Sequence, residues 1–327
     1  MPVKPIQRVL VIKLGGVGEM VLAFPAFERI RQQHPRAKIT LLTTRPFEAL
    51  AKSSPYFNIV DSEGAAKDPA SWTALILRIR HARFDRIYDL QNDASTNLIF
   101  QALRPMAPEW SGTALGAALP HRNRRRGHMH ALERNAEQLK DAGIWPDAPV
   151  KPLSASPPDI SWILARGDQP RPSMTVAGGH RPLVILAPGG EGNHPQLRWP
   201  VELYGQFAKQ MQDRGYDIVI IGALNQAPLA HSIQRVAARA RDLTGRTDLV
   251  QIASLGARAT LAVGNDLGPL HLIAAAGAPT IALFPSEPDP FPIAPRGHVT
   301  VLHAPQLKAL TVDSVVNASL LLARATA

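Results

Sequence analysis

The chain has 327 residues, 45% hydrophobic and 19% charged, with no cysteine; this suits two ordinary domains and excludes disorder, disulfides and thiolate metal sites. No apolar run reaches bilayer-spanning length and no signal peptide is read, so the expected location is the cytoplasm. The net charge of +10 is uneven: residues 1–151 carry 22 Lys/Arg against 14 Asp/Glu, residues 152–327 only 14 against 12. An anionic partner is therefore expected on the first half, and with aromatics at 6% nucleic acid is not it; a phosphate-bearing acceptor or an anionic membrane face fits better.

The predicted elements alternate. Arg8 to Lys13 reads as a buried strand, followed by the glycine-rich turn Lys13-Leu-Gly-Gly-Val-Gly-Glu19. Gly15, Gly16 and Gly18 are not the dinucleotide fingerprint, because Val21 stands where the third small residue belongs, so a nicotinamide enzyme is disfavoured. Glu19 is a candidate base at the top of a strand; the plainer reading is an acid complementing a helix dipole. A helix is predicted over 19–33, a strand over 38–44, helices over 46–52 and 71–82, and a strand over 86–90. Asp89 and Asp93 lack sequence neighbours that would complete a metal site. The run from His121 to Arg126 is basic, with Arg122, Arg124, Arg125 and Arg126 available for an acceptor or for a membrane surface, or simply solvated.

Eight of the thirty prolines lie between Trp145 and Pro182, which reads as a linker over 151–182, with a short helix over 160–166. The pattern then restarts with a strand over 183–186, a helix over 201–214, a strand over 217–221 and a helix over 227–240. The loop Ala187-Pro-Gly-Gly-Glu-Gly192 leads into Arg198-Trp-Pro200. Gly189 and Gly190 could bring backbone amides close to a phosphate and Arg198 could pair with it; alternatively the loop is plain and Trp199 is an anchor. The most informative stretch, Gly264-Asn-Asp-Leu-Gly-Pro-Leu-His271, follows an apolar strand ending at Val263. A turn through Gly268 and a helix from Pro269 would leave N–H groups outward beside Asp266 and His271, a seat for a phosphate; alternatively Asp266 only satisfies backbone N–H groups and His271 is a packed helix residue. A strand over 280–284 and a helix over 312–325 close the chain. Two doubly wound α/β domains facing a central cleft follow, residues 1–150 and 183–327.

These segments resemble glycosyltransferase family 9, the ADP-heptose:lipopolysaccharide heptosyltransferases. The resemblance rests on Val9 to Lys13 through Gly18-Glu19 to Pro25, Leu186 to Gly190, Arg198-Trp-Pro200, Asp242-Leu-Thr-Gly245, Gly264 to His271, Gly277-Ala-Pro279 and Ala282-Leu-Phe284. It implies a GT-B fold, with an N-terminal acceptor domain and a C-terminal nucleotide-sugar domain. It further implies metal-independent, inverting transfer, without a cofactor, of heptose from ADP-heptose to a phosphorylated glycolipid at the inner face of the inner membrane. Glu19 falls where the family has a general-base aspartate. Asp266, Leu267, Gly268, Pro269 and His271 fall in the donor loop with Gly189, Gly190 and Arg198; Lys13, Gly16 and the four arginines are assigned to the acceptor. Four departures stand out: Glu19 for aspartate, Leu197 for a lysine, Leu267 for serine or threonine, and Phe284-Pro-Ser286 without the glycine that follows that phenylalanine in the family. Glu19 and Leu197 keep a non-catalytic relative that binds nucleotide sugar or glycolipid as an alternative; a GT-B epimerase would need a second carboxylate.

Overall fold

Two stretches of the chain, Met1–Ser156 and Pro157–Ala327, each build a parallel sheet of their own. The structure is a computed structural model that describes residues 5–165, 181–190, 198–287 and 289–325.

The first unit runs β1 (Arg8–Ile12), α1 (Val17–Val21), α2 (Phe24–Gln33), β2 (Lys38–Leu42), α3 (Glu48–Ser53), β3 (Ile59–Asp61), α4 (Pro69–Ala82), β4 (Arg86–Asp89), α5 (Ala94–Leu103), β5 (Glu109–Gly112), β6 (Leu119–Pro120) and α6 (Ala131–Asp141). The second runs α7 (Trp162–Ala165), β7 (Leu183–Ala187), α8 (Val201–Asp213), β8 (Asp217–Ile220), α9 (Ala227–Val236), β9 (Arg241–Asp242), α10 (Leu249–Gly256), β10 (Leu261–Gly264), α11 (Leu267–Ala275), β11 (Thr280–Pro285), β12 (Val299–Ala304) and α12 (Val312–Ala325).

The strand orders are β3-β2-β1-β4-β5-β6 and β12-β11-β10-β7-β8-β9. Each is a doubly wound order that reverses direction at one point, between β1 and β4 and between β7 and β10. Parallel strands covered on both faces need continuous apolar runs, and Val9–Ile12 and Leu183–Ala187 are buried throughout. In the first unit Leu10 and Ile12 pack with Ile87, Ile99, Phe100 and Trp110. In the second, Val184, Leu186, Ile220 and Val263 pack with Trp199, Tyr204 and Phe207 of the α8 region. Trp199 is buried, donates from Nε1 to the Leu310 carbonyl at 2.9 Å, and meets the Tyr204 ring edge-on at 4.9 Å.

Several predicted boundaries are corrected. The helix expected over 19–33 is two helices, because a proline at 25 has no N–H for the Val21 carbonyl and its ring clashes there; α2 therefore restarts with Pro25 in its first turn. The helix expected from Pro269 begins at Leu267, with Asp266 at the N-cap position. A proline in the first turn loses nothing, since those N–H groups have no intrahelical acceptor. A 3₁₀ turn (Arg45–Phe47) precedes α3 where one helix was expected, and α9 ends at Val236 rather than Ala240. The strands β3, β5, β6, β9 and β12 and the helices α5, α6 and α10 were not anticipated. The helices α4, α5 and α10 start from capping boxes at Asp68, Asp93 and Asp248, a local signal that sequence reading could have used.

The boundary between the units falls inside the proline-rich stretch, and the residues after it are not loose. Ile160 and Ile163 are buried, and α7 packs on α10. The expected linker residues 166–180, with Gly178-Gly-His180, lie outside the described residues.

Candidate active site

In an open parallel sheet, ligands sit beyond the carboxyl ends of the strands where the strand order reverses. In the first unit that place is set by the pairing of Ile12 with Asp89. Lys13 continues β1 by one residue: its amide donates to the Leu42 carbonyl at 3.0 Å while its side chain is 1% exposed. The Lys13 ammonium donates to Glu19 Oε2 and reaches the Leu90 carbonyl at 3.3 Å. Gly16 turns the chain with φ +72°, a conformation that favours glycine, and its carbonyl accepts from Met20 at 2.9 Å. The amides of Leu14 and Gly15 donate to the Gln91 side-chain oxygen at 3.0 and 3.3 Å, so Gln91 occupies what the sequence left as an open glycine turn.

Glu19 stands in the first turn of α1 with its side chain 45% exposed. Arg134 of α6 approaches it from the other side, with Nη2 at 3.2 Å from Oε1. Partial burial pushes the Glu19 carboxyl up, but Lys13 and Arg134 together outweigh this and hold it below the usual carboxylate range. Burial pulls the Lys13 ammonium down, and the Glu19 charge opposes that. The site thus offers one ionised carboxylate, open to solvent, between a buried and a half-buried cation. Lys13, assigned from sequence to the acceptor, is spent on Glu19.

Asp89 lies beside this pair and is completely buried. Its Oδ1 accepts from the amides of Gln91 and Asn92 at 3.1 and 2.8 Å; its Oδ2 has no hydrogen-bond partner among the described residues. Burial pushes its carboxyl up to about 6 despite those amides and the neighbouring Thr96 hydroxyl. Asp93 instead caps α5 through the Thr96 amide at 3.0 Å. No cluster of three or more metal-ligating side chains occurs among the described residues.

The four arginines divide. Arg122, Arg124 and Arg125 are exposed, whereas Arg126 is half-buried and lies within electrostatic range of Arg134, Asp89, Glu19 and Glu137.

In the second unit, Gly264 of β10 pairs with Ala187 of β7. A Cβ on Gly264 would lie 2.3 Å from the Ala187 carbonyl oxygen; the absence of one lets that carbonyl accept from both Asn265 and Asp266, at 3.0 and 3.2 Å. Asn265 is buried and fully engaged. Its Oδ1 accepts from the Trp199 amide at 2.9 Å and the Tyr204 hydroxyl at 2.8 Å, and its Nδ2 donates to the Leu283 carbonyl at 2.7 Å. Asp266 holds the N-cap position of α11 without a side-chain cap bond and accepts from Gln226 Nε2 at 3.4 Å. The Gln226 amide lies over Gly189, where a Cβ would fall 2.3 Å from its nitrogen. Arg198 reaches the Gly190 carbonyl at 3.5 Å.

The residues expected to hold the donor, Gly189, Gly190, Arg198 and Asp266, thus gather around the β7/β10 reversal, with Leu267, Gly268 and Pro269 forming the first turn of α11. His271 follows the packed-residue reading: it is 5% exposed, with Nε2 at 3.0 Å from the Ile293 carbonyl, in a stretch of α11 that is buried from Leu270 to Ala275. Leu197, with Glu191 and Gly192, lies outside the described residues. Sequence reasoning missed Arg134, Gln91, Gln226 and the role of Asn265. On α6, Glu133, Asn135 and Gln138 are polar yet buried, a feature that the sequence does not display.

The family model of glycosyltransferase family 9 (heptosyltransferase) matches residues 72–314. The lipopolysaccharide heptosyltransferase 2 of Escherichia coli is 28% identical over 314 residues, covering 86% of this chain and 84% of that protein. The solved ADP-heptose LPS heptosyltransferase II of E. coli superposes with a TM-score of 0.79 at 23% identity, covering 98% of this chain and 99% of that one. A glycosyltransferase family 9 structure from Veillonella parvula gives 0.81 at 19% identity, covering 98% and 99%. At these identities the likeness to the solved structures is one of fold, the GT-B type with two Rossmann-like units.

Proposed function

The chain belongs to glycosyltransferase family 9, and from that premise we propose that it transfers heptose from ADP-heptose to a hydroxyl of a lipopolysaccharide-type acceptor, with inversion. The observation that carries the reading is the ionised, solvent-open carboxylate of Glu19 held by Lys13 and Arg134. A general base must be unprotonated at working pH and within reach of the hydroxyl it serves. The acceptor oxygen gives its proton to Glu19 and bonds to the anomeric carbon as the bond from that carbon to the diphosphate breaks, releasing ADP. Charge growing on the departing diphosphate is met by Arg198 and by the amides at the start of α11, so transfer is expected to need no metal or cofactor.

The exposed Arg122, Arg124 and Arg125 support contact with a phosphorylated acceptor and peripheral contact with an anionic membrane at its cytoplasmic face. No helix among the described residues is long and apolar enough to cross a membrane.

The test is calorimetric titration of ADP, UDP, GDP and ADP-heptose in EDTA, followed by a transfer assay. Adenine-selective binding weakened by Asp266→Ala, with transfer lost but donor binding kept in Glu19→Gln, supports the proposal. Failure to bind any of the four overturns it.

A further inference from the structure

Beneath the basic loop sits a histidine whose two ring nitrogens are both committed. His121 follows β6, its amide donating to the Gly112 carbonyl at 2.9 Å, and its side chain is fully buried. Nε2 lies 2.7 Å from Glu137 Oε2 on α6, and Nδ1 lies 3.3 Å from Arg126 Nε. A carboxylate only accepts and a guanidinium only donates. The ring must therefore carry its hydrogen on Nε2, leaving the Nδ1 lone pair for Arg126. Asn123 reinforces the brace, donating from Nδ2 to the same Glu137 oxygen at 2.8 Å while its Oδ1 accepts from the Arg125 amide at 2.8 Å.

We propose that His121 is a positioning residue that aims the Arg126 guanidinium toward the Glu19 carboxylate, where Arg126 holds an anionic group of the acceptor. Three observations carry this. Arg126 alone of the four arginines is half-buried; it lies within electrostatic range of Glu19 and Arg134; and the hydrogen-bond chain from α6 through Glu137 and His121 ends on its Nε. Pinning Nε leaves the outer nitrogens of the guanidinium to face a ligand, and holding a long side chain in one geometry removes an entropic cost from binding. The inference rests on the assignment of this loop to the acceptor. The anion is a phosphate or a sugar carboxylate.

The histidine can be dissected one nitrogen at a time. His121→Asn places a side-chain oxygen near the Nδ1 position and keeps an acceptor for Arg126; His121→Gln places its amide near the Nε2 position, keeps the bond to Glu137 and deserts Arg126. With ADP-heptose as donor and deacylated lipopolysaccharide core as acceptor, His121→Gln is expected to raise the acceptor KM about tenfold, the size of one charge-assisted hydrogen bond. The donor KM should be unchanged and His121→Asn should stay within about threefold of the parent. Combined with Arg126→Ala, His121→Gln should add nothing further. Should His121→Gln fail to fold, Glu137→Ala loosens the same ring and carries the same expectation. Equal effects of the Asn and Gln variants, or full additivity with Arg126→Ala, would overturn the positioning role. An acceptor KM untouched by Arg126→Ala alone would instead overturn the assignment of the loop to the acceptor. Repeating the series on core stripped of phosphate identifies the anion: a vanished effect means phosphate, a persistent one a carboxylate, and either supports the proposal.

Discussion

Arg134 Nη2 lies 3.2 Å from Glu19 Oε1, although 115 positions separate the two residues in the chain. Lys13 takes the other carboxylate oxygen. The consequence is electrostatic: a carboxylate that partial burial alone would make a stronger base is instead kept ionised by two cations.

This arrangement predicts a pH effect. With Glu19 as the proposed base, acting in its ionised form, activity is expected to fall as pH drops through its lowered pKa. In Lys13→Met the burial remains while the larger of the two cationic influences is removed. The acid limb of the rate profile should move to higher pH, and a limb that stays in place would argue that Glu19 is not the titrating base. Stability follows the same sign: the ion pairs stabilise above the ordinary carboxylate pKa, and that contribution is lost as pH falls through the lowered one.

Asp89 behaves in the opposite sense. Its carboxyl is pushed up to about 6 from 3.8, so the folded chain binds a proton that the unfolded chain has released. Its cost is therefore absent below about pH 4, grows as pH rises toward 6, and is complete at neutrality. Asp89→Asn keeps an oxygen for the Gln91 and Asn92 amides and removes the buried charge. It should stabilise the first unit by about 1–3 kcal/mol at pH 7 and by nothing measurable at pH 4. Denaturant melts at the two pH values check this; a stability gain independent of pH would refute the titration.

Gly264→Ala would force a methyl group against the Ala187 carbonyl where β10 pairs with β7. Overpacking of this kind costs about 1–3 kcal/mol. It should also weaken donor binding, because the Asn265 and Asp266 amides hang from that carbonyl. A melt paired with an ADP titration measures both, and an unchanged titration would separate the strand contact from the donor loop.

Asn265→Leu leaves the Trp199 amide, the Tyr204 hydroxyl and the Leu283 carbonyl without their partner. Each buried orphan costs about 1–3 kcal/mol, so a loss of about 3 kcal/mol or more is expected by chemical denaturation. A milder loss would mean that water reaches these groups.

Legibility followed the range of the interactions. β1, β7, β10 and β11 could be read because an apolar run bounded by glycine or proline is a local signal, and α12 because its apolar residues recur at helical spacing. So could Glu19 and Asp266, which lie where a glycine-rich turn leads from a strand into a helix. The short strands β6 and β9, of two residues each, carry no periodicity to detect and exist because a neighbouring strand pairs with them. The basic loop reads as four equivalent arginines, and Arg126 is singled out only by its burial and by the brace through His121 and Glu137.

By itself, then, the sequence determined the alternation of elements, the doubled α/β architecture and the two glycine-rich turns, since periodicity, proline and glycine act within a few residues. Tertiary structure alone decided that Lys13 serves Glu19, that Gln91 fills the first turn, that His271 points inward and that Arg134 completes the site. Those outcomes depend on which strand ends and helices meet across a sheet, and such meetings are chosen by burial of the whole core and by pairing of charges distant in sequence.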